Sequence, residues 1–501
     1  MDKKSIATDL AANSLAEIQG SKLFNADLAP VPQAKRTWTK WSIAALWVGM
    51  AICITTYTLA SGLISQGMNW SEAILTIFLG NLIVLIPMTL NAHPGTKFGS
   101  PFPVLLRSSF GTIGSNIPAM MRAIVACGWF GIQTWIGGAS IYAMSSIMFG
   151  FDPAKKINLP IVGISSGELL CFAIFWAINI FIIVKGMNSI KWLEILSAPF
   201  LLLTGLGMLI WAYYAAKGWG PIFNQPSKLK TSAEFWPVFA AGLTAMVGYW
   251  ATLSLNIPDF SRFAKSQRDQ IIGQALGLPL TMTFYSFIGV AVTSATIVVF
   301  GIPIWDPVQL MAKFNSPILS FLALITLAVA TLSTNIAANV VSPANDFSNL
   351  APRFISFKTG GLITGVIGVL MFPWKLYANP SGYIFTWLIG YSALLGPIAG
   401  IMIADYFVYR KQRLNVIELY KEKGEYSYSS GFSLVGIFTL ILAVLPNLPG
   451  FLVTINVWPK ESVAPIFLSI YNYAWFVGFA FAFVVYLVAR KMFPETKHPA
   501  N

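Results

Sequence analysis

Twelve apolar runs follow one another along the chain and constrain its fold more than any other feature. A helix needs about 20 predominantly apolar residues to cross the hydrocarbon core of a bilayer. Hydrophobic residues make up 56% of the 501 positions and charged residues only 10%, against about 25% charged residues in a soluble globular domain. The sequence therefore predicts an all-α polytopic membrane protein in the lipid bilayer. The runs, numbered here as spans 1 to 12, cover residues 43–67, 70–91, 116–148, 166–185, 193–216, 234–257, 271–300, 317–342, 360–377, 382–406, 431–456 and 464–489.

The basic residues predict the orientation of these spans. The formal net charge is +13, which could also suit a protein that binds nucleic acid. With the N-terminus inside, 24 of the 32 basic residues fall in inner loops and tails, and eight fall in outer loops. This asymmetry follows the positive-inside rule. We therefore expect a multi-pass protein of the inner or plasma membrane, with both termini in the cytoplasm and no nucleic-acid partner.

The reactive side chains are too few for an intramembrane enzyme. The two histidines, His93 and His498, lie in a loop and in the C-terminal tail, and the three cysteines all lie in apolar runs. This pattern gives no sign of a disulfide framework, a histidine-based metal centre or a catalytic triad. The polar N-terminal stretch lacks the arrangement of a signal peptide. We expect a protein that is not an enzyme.

Glycines interrupt spans 1 and 6 at Gly49 and Gly248. Interruptions at corresponding positions of two halves are typical of an inverted five-plus-five repeat with broken helices, although glycine also serves close helix packing. The repeat interpretation gives the following predicted organisation. It comprises a cytoplasmic N-terminal tail (1–40), a first repeat (41–216), an extracellular loop (217–233), a second repeat (234–406), a cytoplasmic loop (407–430), two added helices (431–489) and a cytoplasmic C-terminal tail (490–501).

Span 3 carries an unusual aromatic and polar face. Trp129 and Gln133 are four residues apart and therefore share one side of a helix. A buried amide is costly without a partner, and a planar solute that forms hydrogen bonds would be such a partner. Trp250 lies beside a glycine and away from the expected membrane interface, so it could stack on the opposite face of the same ring. Aromatic packing or an interfacial position is the alternative for any single tryptophan.

Span 8 contains a second polar cluster. Hydroxyls of Ser333 and Thr334 reach back toward the carbonyl of Ala330, so three neutral oxygens converge. Carbonyls freed near Gly49 and Ile52 could complete a shell for a weakly held hard cation such as Na⁺. Alternatively, the hydroxyls only satisfy their own helix. Asn339, near the end of the same span, could contact a substrate or link two helices.

Several motifs together resemble the nucleobase–cation symporter-1 family, which includes hydantoin, allantoin, uracil and cytosine permeases. The resemblance covers nearly the whole chain. It is carried by Gln33–Trp38, His93–Gly99, Trp129–Trp135, Ser333–Asn339 and Leu395–Tyr406.

The resemblance implies a fold of twelve transmembrane helices, with the leucine-transporter-like inverted repeat, broken helices 1 and 6, and two extra helices. It also implies that Trp129 and Trp250 stack on a planar ring, that Gln133 and Asn339 form hydrogen bonds with its edge, and that backbone near Gly248 assists. The family's sodium site maps onto the carbonyls of Gly49, Ile52 and Ala330 and the hydroxyls of Ser333 and Thr334.

One position departs from the family. Relatives place Gln or Asn where this chain has Cys53, and a thiol is a weak donor and a weak acceptor.

The resemblance implies a monomeric symporter that imports a nucleobase, with uracil expected ahead of hydantoin or allantoin. Alternatives are a proton-coupled purine or cytosine permease and, more remotely, an amino acid or amine transporter. A zwitterion should recruit a fixed charge, whereas this site offers amides and indoles.

Overall fold

The computed structural model describes residues 17–495 except positions 154, 186, 315 and 381. The first 16 residues of the predicted N-terminal tail and residues 496–501 of the C-terminal tail lie outside this part. All regular elements of the described chain are helical. Helices coincide with all twelve predicted spans. In order, they are Lys40–Ala51 with Ile54–Ser65; Trp70–Phe98; Asn116–Phe149; Ser166–Lys185; Met187–Ala215; Ser232–Tyr249 with Ala251–Asn256; Gln267–Phe300; Pro317–Asn339 with Val341–Leu350; Phe357–Leu370; Gly382–Leu388, Ile389–Ile403 and Ala404–Tyr409; Leu434–Val444 with Leu448–Thr454; and Pro465–Asn472 with Ala474–Met492.

Most of these helices are long enough to cross a bilayer. Among the described residues, eight helical stretches meet that requirement, some of them made of two or three successive helices. The two halves of span 1 together make a ninth. The apolar helices described in spans 5 and 9 are shorter, at Leu202–Ala215 and Phe357–Leu370. Span 6 is interrupted at Trp250. The fold is thus the all-helical polytopic architecture that the apolar runs predict.

Local sequence determines where several spans begin and end. Span 2 begins with a capping box, in which Asn69 and Glu72 each accept the other's backbone N–H at 2.9 Å, satisfying two N–H groups that the helix leaves unpaired. Spans 3 and 7 end at Gly150 and Gly301, whose φ angles of 68° and 76° lie in the left-handed region. Glycine adopts that conformation without steric cost.

Span 1 is broken where the sequence predicts an interruption, and its halves are inclined by 59°. The N–H of Ile52 donates to Val48 and that of Cys53 donates to Ala51, at 3.1 and 3.0 Å. Cys53 is fully extended, with φ −149° and ψ 161°. The helical ladder is therefore interrupted here, and the carbonyls of Gly49 and Ile52 receive no backbone hydrogen bond. Such unwound backbone is tolerated at membrane depth only where it is buried or lines a cavity.

The helices form two packed groups. Span 7 packs extensively on spans 1 and 2, and span 6 packs on span 2. Span 3 packs extensively on span 8 and also on spans 4 and 9. Span 5 contacts both spans 7 and 8, and spans 10 and 12 pack together. Spans 1, 2, 6 and 7 thus form a bundle beside a scaffold of spans 3, 4, 8 and 9.

A buried ion pair ties the scaffold together. Arg122 and Asp346 are fully buried, and their side chains are 3.1 Å apart. The pair joins span 3 to the Val341–Leu350 helix. Asp346 lies four residues beyond the predicted end of span 8, in the helix that follows Asn339. Its partner is 224 residues away, so no local pattern shows that the charge is buried and neutralised.

Candidate substrate and cation site

Trp129 is the centre of an aromatic cluster. Its side chain is 5% exposed, and its ring centroid lies 5.2 Å from that of Tyr249 and 6.1–6.4 Å from those of Tyr383, Trp387 and Tyr391. All four contacts are edge-on, the geometry that aromatic quadrupoles favour. The Nε1 donor of Trp129 is buried without a hydrogen-bond partner among the described residues. This indole therefore offers an aromatic surface and an unused donor.

The glycines beside Trp129 allow the neighbouring helices to approach. A side chain at Gly128 would meet the ring of Trp387, and one at Gly131 would meet the backbone carbonyl of Gly368. The glycines that flank Trp129 are therefore required for packing against spans 9 and 10. They hold the indole against the aromatic cluster.

Gln133 lies one helical turn beyond Trp129, as the spacing predicts. Its side chain is 5% exposed, and among the described residues its amide forms no hydrogen bond. An unsatisfied buried amide costs about 1–3 kcal/mol. Trp129 and Gln133 thus lie on one side of span 3 with an indole N–H and an amide that form no hydrogen bond in the described chain.

Asn339 ends a chain of amides that connects three spans. Its Nδ2 donates to Asn335 Oδ1 at 3.0 Å. Asn335 in turn donates to the carbonyl of Phe130, to Thr134 and to Asn179, at 3.1–3.2 Å. These bonds orient Asn339 and leave its own Oδ1 without a partner in the described chain. The sequence identifies Asn339 as a candidate but does not show that Asn335 and Asn179 hold it in place.

Trp250 lies at the break in span 6 and is buried. Its Nε1 donates to Asn81 at 3.1 Å, and its ring contacts Trp47 edge-on at 5.0 Å. Trp129 and Trp250 are not in direct ring contact. Instead, the ring of Tyr249 contacts both, at 5.2 and 4.8 Å. The structure therefore brings the two predicted indoles into one aromatic cluster with a third ring touching both.

Cys53 faces Tyr249 across the two helix breaks. Its Sγ lies 3.2 Å from the Tyr249 hydroxyl and from Thr56 Oγ1, and 3.3 Å from Thr55 Oγ1. Gly248 packs so closely on span 10 that a side chain there would meet Ser392. Tyr249 is the residue that sequence reasoning missed, although its place between Gly248 and Trp250 at the interruption of span 6 was the available signal.

The predicted cation ligands lie on elements that pack together. Spans 1 and 8 are in contact, the carbonyls of Gly49 and Ile52 are free of backbone bonds, and Ser333 and Thr334 are buried. Thr334 donates to the carbonyl of Ala330 at 3.2 Å, so its lone pairs remain able to accept or coordinate. No cluster of three histidine, cysteine or acidic side chains occurs in the described part. A cation here would depend on neutral oxygens, which suit Na⁺.

Comparisons with known proteins identify a family and relatives that resemble the chain over most of its length. The profile of a family described as "Permease for cytosine/purines, uracil, thiamine, allantoin" matches residues 30–478. The chain is 44% identical to a purine-uracil permease of Arabidopsis thaliana over 468 residues, covering 93% of this chain and 77% of the relative. It is 42% identical to an allantoin permease of Bacillus subtilis, covering 95% of both chains.

A solved structure shares the fold. The nucleobase-cation-symport-1 transporter Mhp1, in a closed conformation with bromovinylhydantoin bound, superimposes with a TM-score of 0.76. Its sequence is 27% identical, and the match covers 95% of this chain and 98% of Mhp1. The overall fold of the chain is therefore shared with a known transporter.

Proposed function

The chain belongs to the family of permeases for cytosine and purines, uracil, thiamine and allantoin, and from that premise we propose that it is a Na⁺-coupled importer of a uracil-type nucleobase. It is a multi-pass membrane transporter rather than an enzyme, and a coupling cation accords with its relation to nucleobase–cation symporters. We propose the identity of the base, the identity of the ion and the residues that bind them.

One observation carries the substrate class. Trp129, Gln133 and Asn339 combine a buried aromatic ring with three polar groups that form no hydrogen bond in the described chain, namely the Trp129 Nε1, the Gln133 amide and the Asn339 Oδ1. A planar ring with an imide or urea edge supplies both a stacking face and complementary hydrogen bonds. Stacking contributes only about 0.5–1.5 kcal/mol, so the amides provide most of the selectivity. We assign Gln133 and the Asn339 oxygen to the polar edge of the base.

The remaining predicted residues surround this core of the site. Trp250 supplies the second aromatic wall beside Tyr249, Gly248 allows the close approach of span 10, and Cys53 borders the far edge as a weak polar contact. The expectation that an amino acid zwitterion would need a fixed charge still argues against that class. The charges of Arg122 and Asp346 are paired with each other within the scaffold.

The coupling mechanism follows from the two packed groups. We place Na⁺ among the carbonyls of Gly49, Ile52 and Ala330 and the hydroxyls of Ser333 and Thr334, where it joins span 1 of the bundle to span 8 of the scaffold. Binding there orders the break in span 1 and favours the site's closed geometry around the base. Movement of the bundle against the scaffold then exposes both solutes to the cytoplasm.

Allantoin is the second candidate, favoured by the 42% identity to an allantoin permease over nearly the whole of both chains. Uracil and allantoin share a urea unit within a ring, so the same amides could bind either.

Purified transporter in detergent separates these candidates. Quenching of tryptophan fluorescence is measured with uracil, allantoin, hydantoin, hypoxanthine and a panel of amino acids. We expect uracil to bind tightest, no response to amino acids, and loss of the response in Trp129→Ala. Tighter binding of allantoin would show that allantoin, and not uracil, is the preferred substrate. A response to amino acids alone would contradict the proposed substrate class.

A further inference from the structure

Tyr249 occupies the point where the two broken spans meet. It is the last residue of the Ser232–Tyr249 helix, it is buried, and its ring touches both Trp129 and Trp250 nearly at right angles. Any displacement of this ring changes the surroundings of the stacking surface on span 3. Tyr249 is therefore in direct contact with the substrate site proposed above.

The hydroxyl of Tyr249 is anchored on span 1. It lies 2.7 Å from Thr55 Oγ1, 3.1 Å from Thr56 Oγ1 and 3.2 Å from Cys53 Sγ. All three of these partners lie on span 1, at the break or in the first turn after it. The orientation of the ring consequently depends on the position of the first turn of the Ile54–Ser65 helix.

That turn directly follows the break that carries the candidate cation ligands. Ile52, whose carbonyl receives no backbone hydrogen bond, immediately precedes Cys53. Thr55 lies three residues after Ile52. A cation that fixes the Ile52 carbonyl therefore also restrains the partners of the Tyr249 hydroxyl. A continuous set of bonds and contacts runs from the break in span 1 through Tyr249 to Trp129.

We propose that Tyr249 is a positioning residue that couples cation binding at the break in span 1 to substrate binding on Trp129. The proposal rests on the proposed function and adds a physical route for the coupling. Cation binding holds in place the cluster formed by the Cys53 thiol and the Thr55 and Thr56 hydroxyls. The cluster orients the Tyr249 ring, and the ring maintains the geometry of the stacking surface.

The test measures coupling rather than affinity alone. Binding of radiolabelled uracil, with allantoin in parallel, is measured by scintillation proximity on purified full-length transporter in Na⁺ and in choline. The ratio of the two dissociation constants is the coupling factor, for which about 5–150-fold is typical of coupled sites. Tyr249→Phe keeps the ring and removes the hydroxyl, so we expect its coupling factor to fall about fivefold or more. A melting temperature close to that of the unmodified protein shows that the variant is folded.

Two further variants make the result specific. Thr55→Val removes the shortest bond to the Tyr249 hydroxyl and should lower the coupling factor similarly. Because Tyr249→Phe already removes the bond that Thr55→Val removes, the double variant should be no worse than Tyr249→Phe alone. Tyr57→Phe is the matched control, since the Tyr57 hydroxyl is buried in the same helix without a hydrogen-bond partner in the described chain. Its coupling factor should not change.

The outcomes distinguish this proposal from the one on which it rests. If the unmodified protein binds its base equally well in Na⁺ and in choline, sodium coupling is wrong and the role of Tyr249 is wrong with it. If the unmodified protein is sodium-dependent and Tyr249→Phe keeps the full coupling factor, only the role of Tyr249 is overturned. Additive losses in the double variant would also overturn it.

Discussion

At the scale of single residues, the candidate site contains one buried amide with hydrogen-bond partners and another without them. Asn335 has its donors fully engaged by three acceptors, whereas Gln133 is also buried but has no partner in the described chain. Protein stability alone does not explain an unpartnered amide at that depth, since burial without a hydrogen bond is costly. The contrast separates a residue that maintains the structure from one that is available to a ligand.

Replacement of Gln133 by Leu tests this distinction. Because the amide forms no bond within the protein, we expect thermal stability to be unchanged or slightly increased. We expect the affinity for the base to fall about tenfold, consistent with the loss of one or two hydrogen bonds. Binding and melting are measured on the same preparation. A large loss of stability with unchanged binding would show that Gln133 is structural.

The site residues differ in how far their roles could be predicted from the sequence. Trp129 and Gln133 could be identified because helical spacing alone places them on one face. The bond between Trp250 and Asn81 joins residues 169 positions apart, and the Tyr249 hydroxyl meets residues almost 200 positions away. Periodicity within one helix carries no information on such pairings. The positions of the candidate residues were therefore predictable, but the contacts that orient them were not.

At the scale of helices, the amide chain holds spans 3, 4 and 8 in register. Asn335 on span 8 reaches a backbone carbonyl and a hydroxyl on span 3 and the amide of Asn179 on span 4. Asn179 donates onward to the carbonyl of Phe175 within its own helix. Helices in a membrane associate through packing and such polar contacts, because lipid is as apolar as their side chains. This series of hydrogen-bonded amides thus fixes Asn339 relative to Trp129.

Replacement of Asn335 by Ala is expected to affect both the helices and the site. It leaves Asn179 and Asn339 without their partner, which should destabilise the protein by about 1–3 kcal/mol. Affinity for the base should also fall, because Asn339 is no longer oriented. The matched comparison is Gln133→Leu, which should lower affinity without lowering the melting temperature. Unchanged melting and binding in Asn335→Ala would contradict the role of the amide chain.

At the scale of the whole molecule, amino-acid composition predicts the positions of the spans. The packing of the helices divides those spans into two groups, and composition does not predict that division. Apolar runs predict where helices lie, since each must match the bilayer thickness. They do not indicate which helices pack together. The contacts that join span 7 to spans 1 and 2, and span 3 to span 8, define the bundle and the scaffold on which the proposed transport movement depends.

The predicted orientation can be tested with introduced cysteines. The native Cys53, Cys127 and Cys171 are buried and should give little background with a membrane-impermeant maleimide. Lys155 and Lys358 are both exposed, and the basic residues place the first outside and the second inside. In intact cells we expect Lys155→Cys to be labelled and Lys358→Cys to be labelled only after the membrane is permeabilised. The reverse pattern would invert the topology.

Uptake by proteoliposomes tests the central claim most directly. Radiolabelled uracil is supplied outside vesicles that contain the purified transporter, with an inward Na⁺ gradient, with equal Na⁺ on both sides, or with a proton gradient alone. We predict concentrative uptake only with the inward Na⁺ gradient and its loss in Trp129→Ala. Uptake that ignores the Na⁺ gradient and follows the proton gradient would contradict sodium coupling, and unchanged uptake by Trp129→Ala would contradict the site.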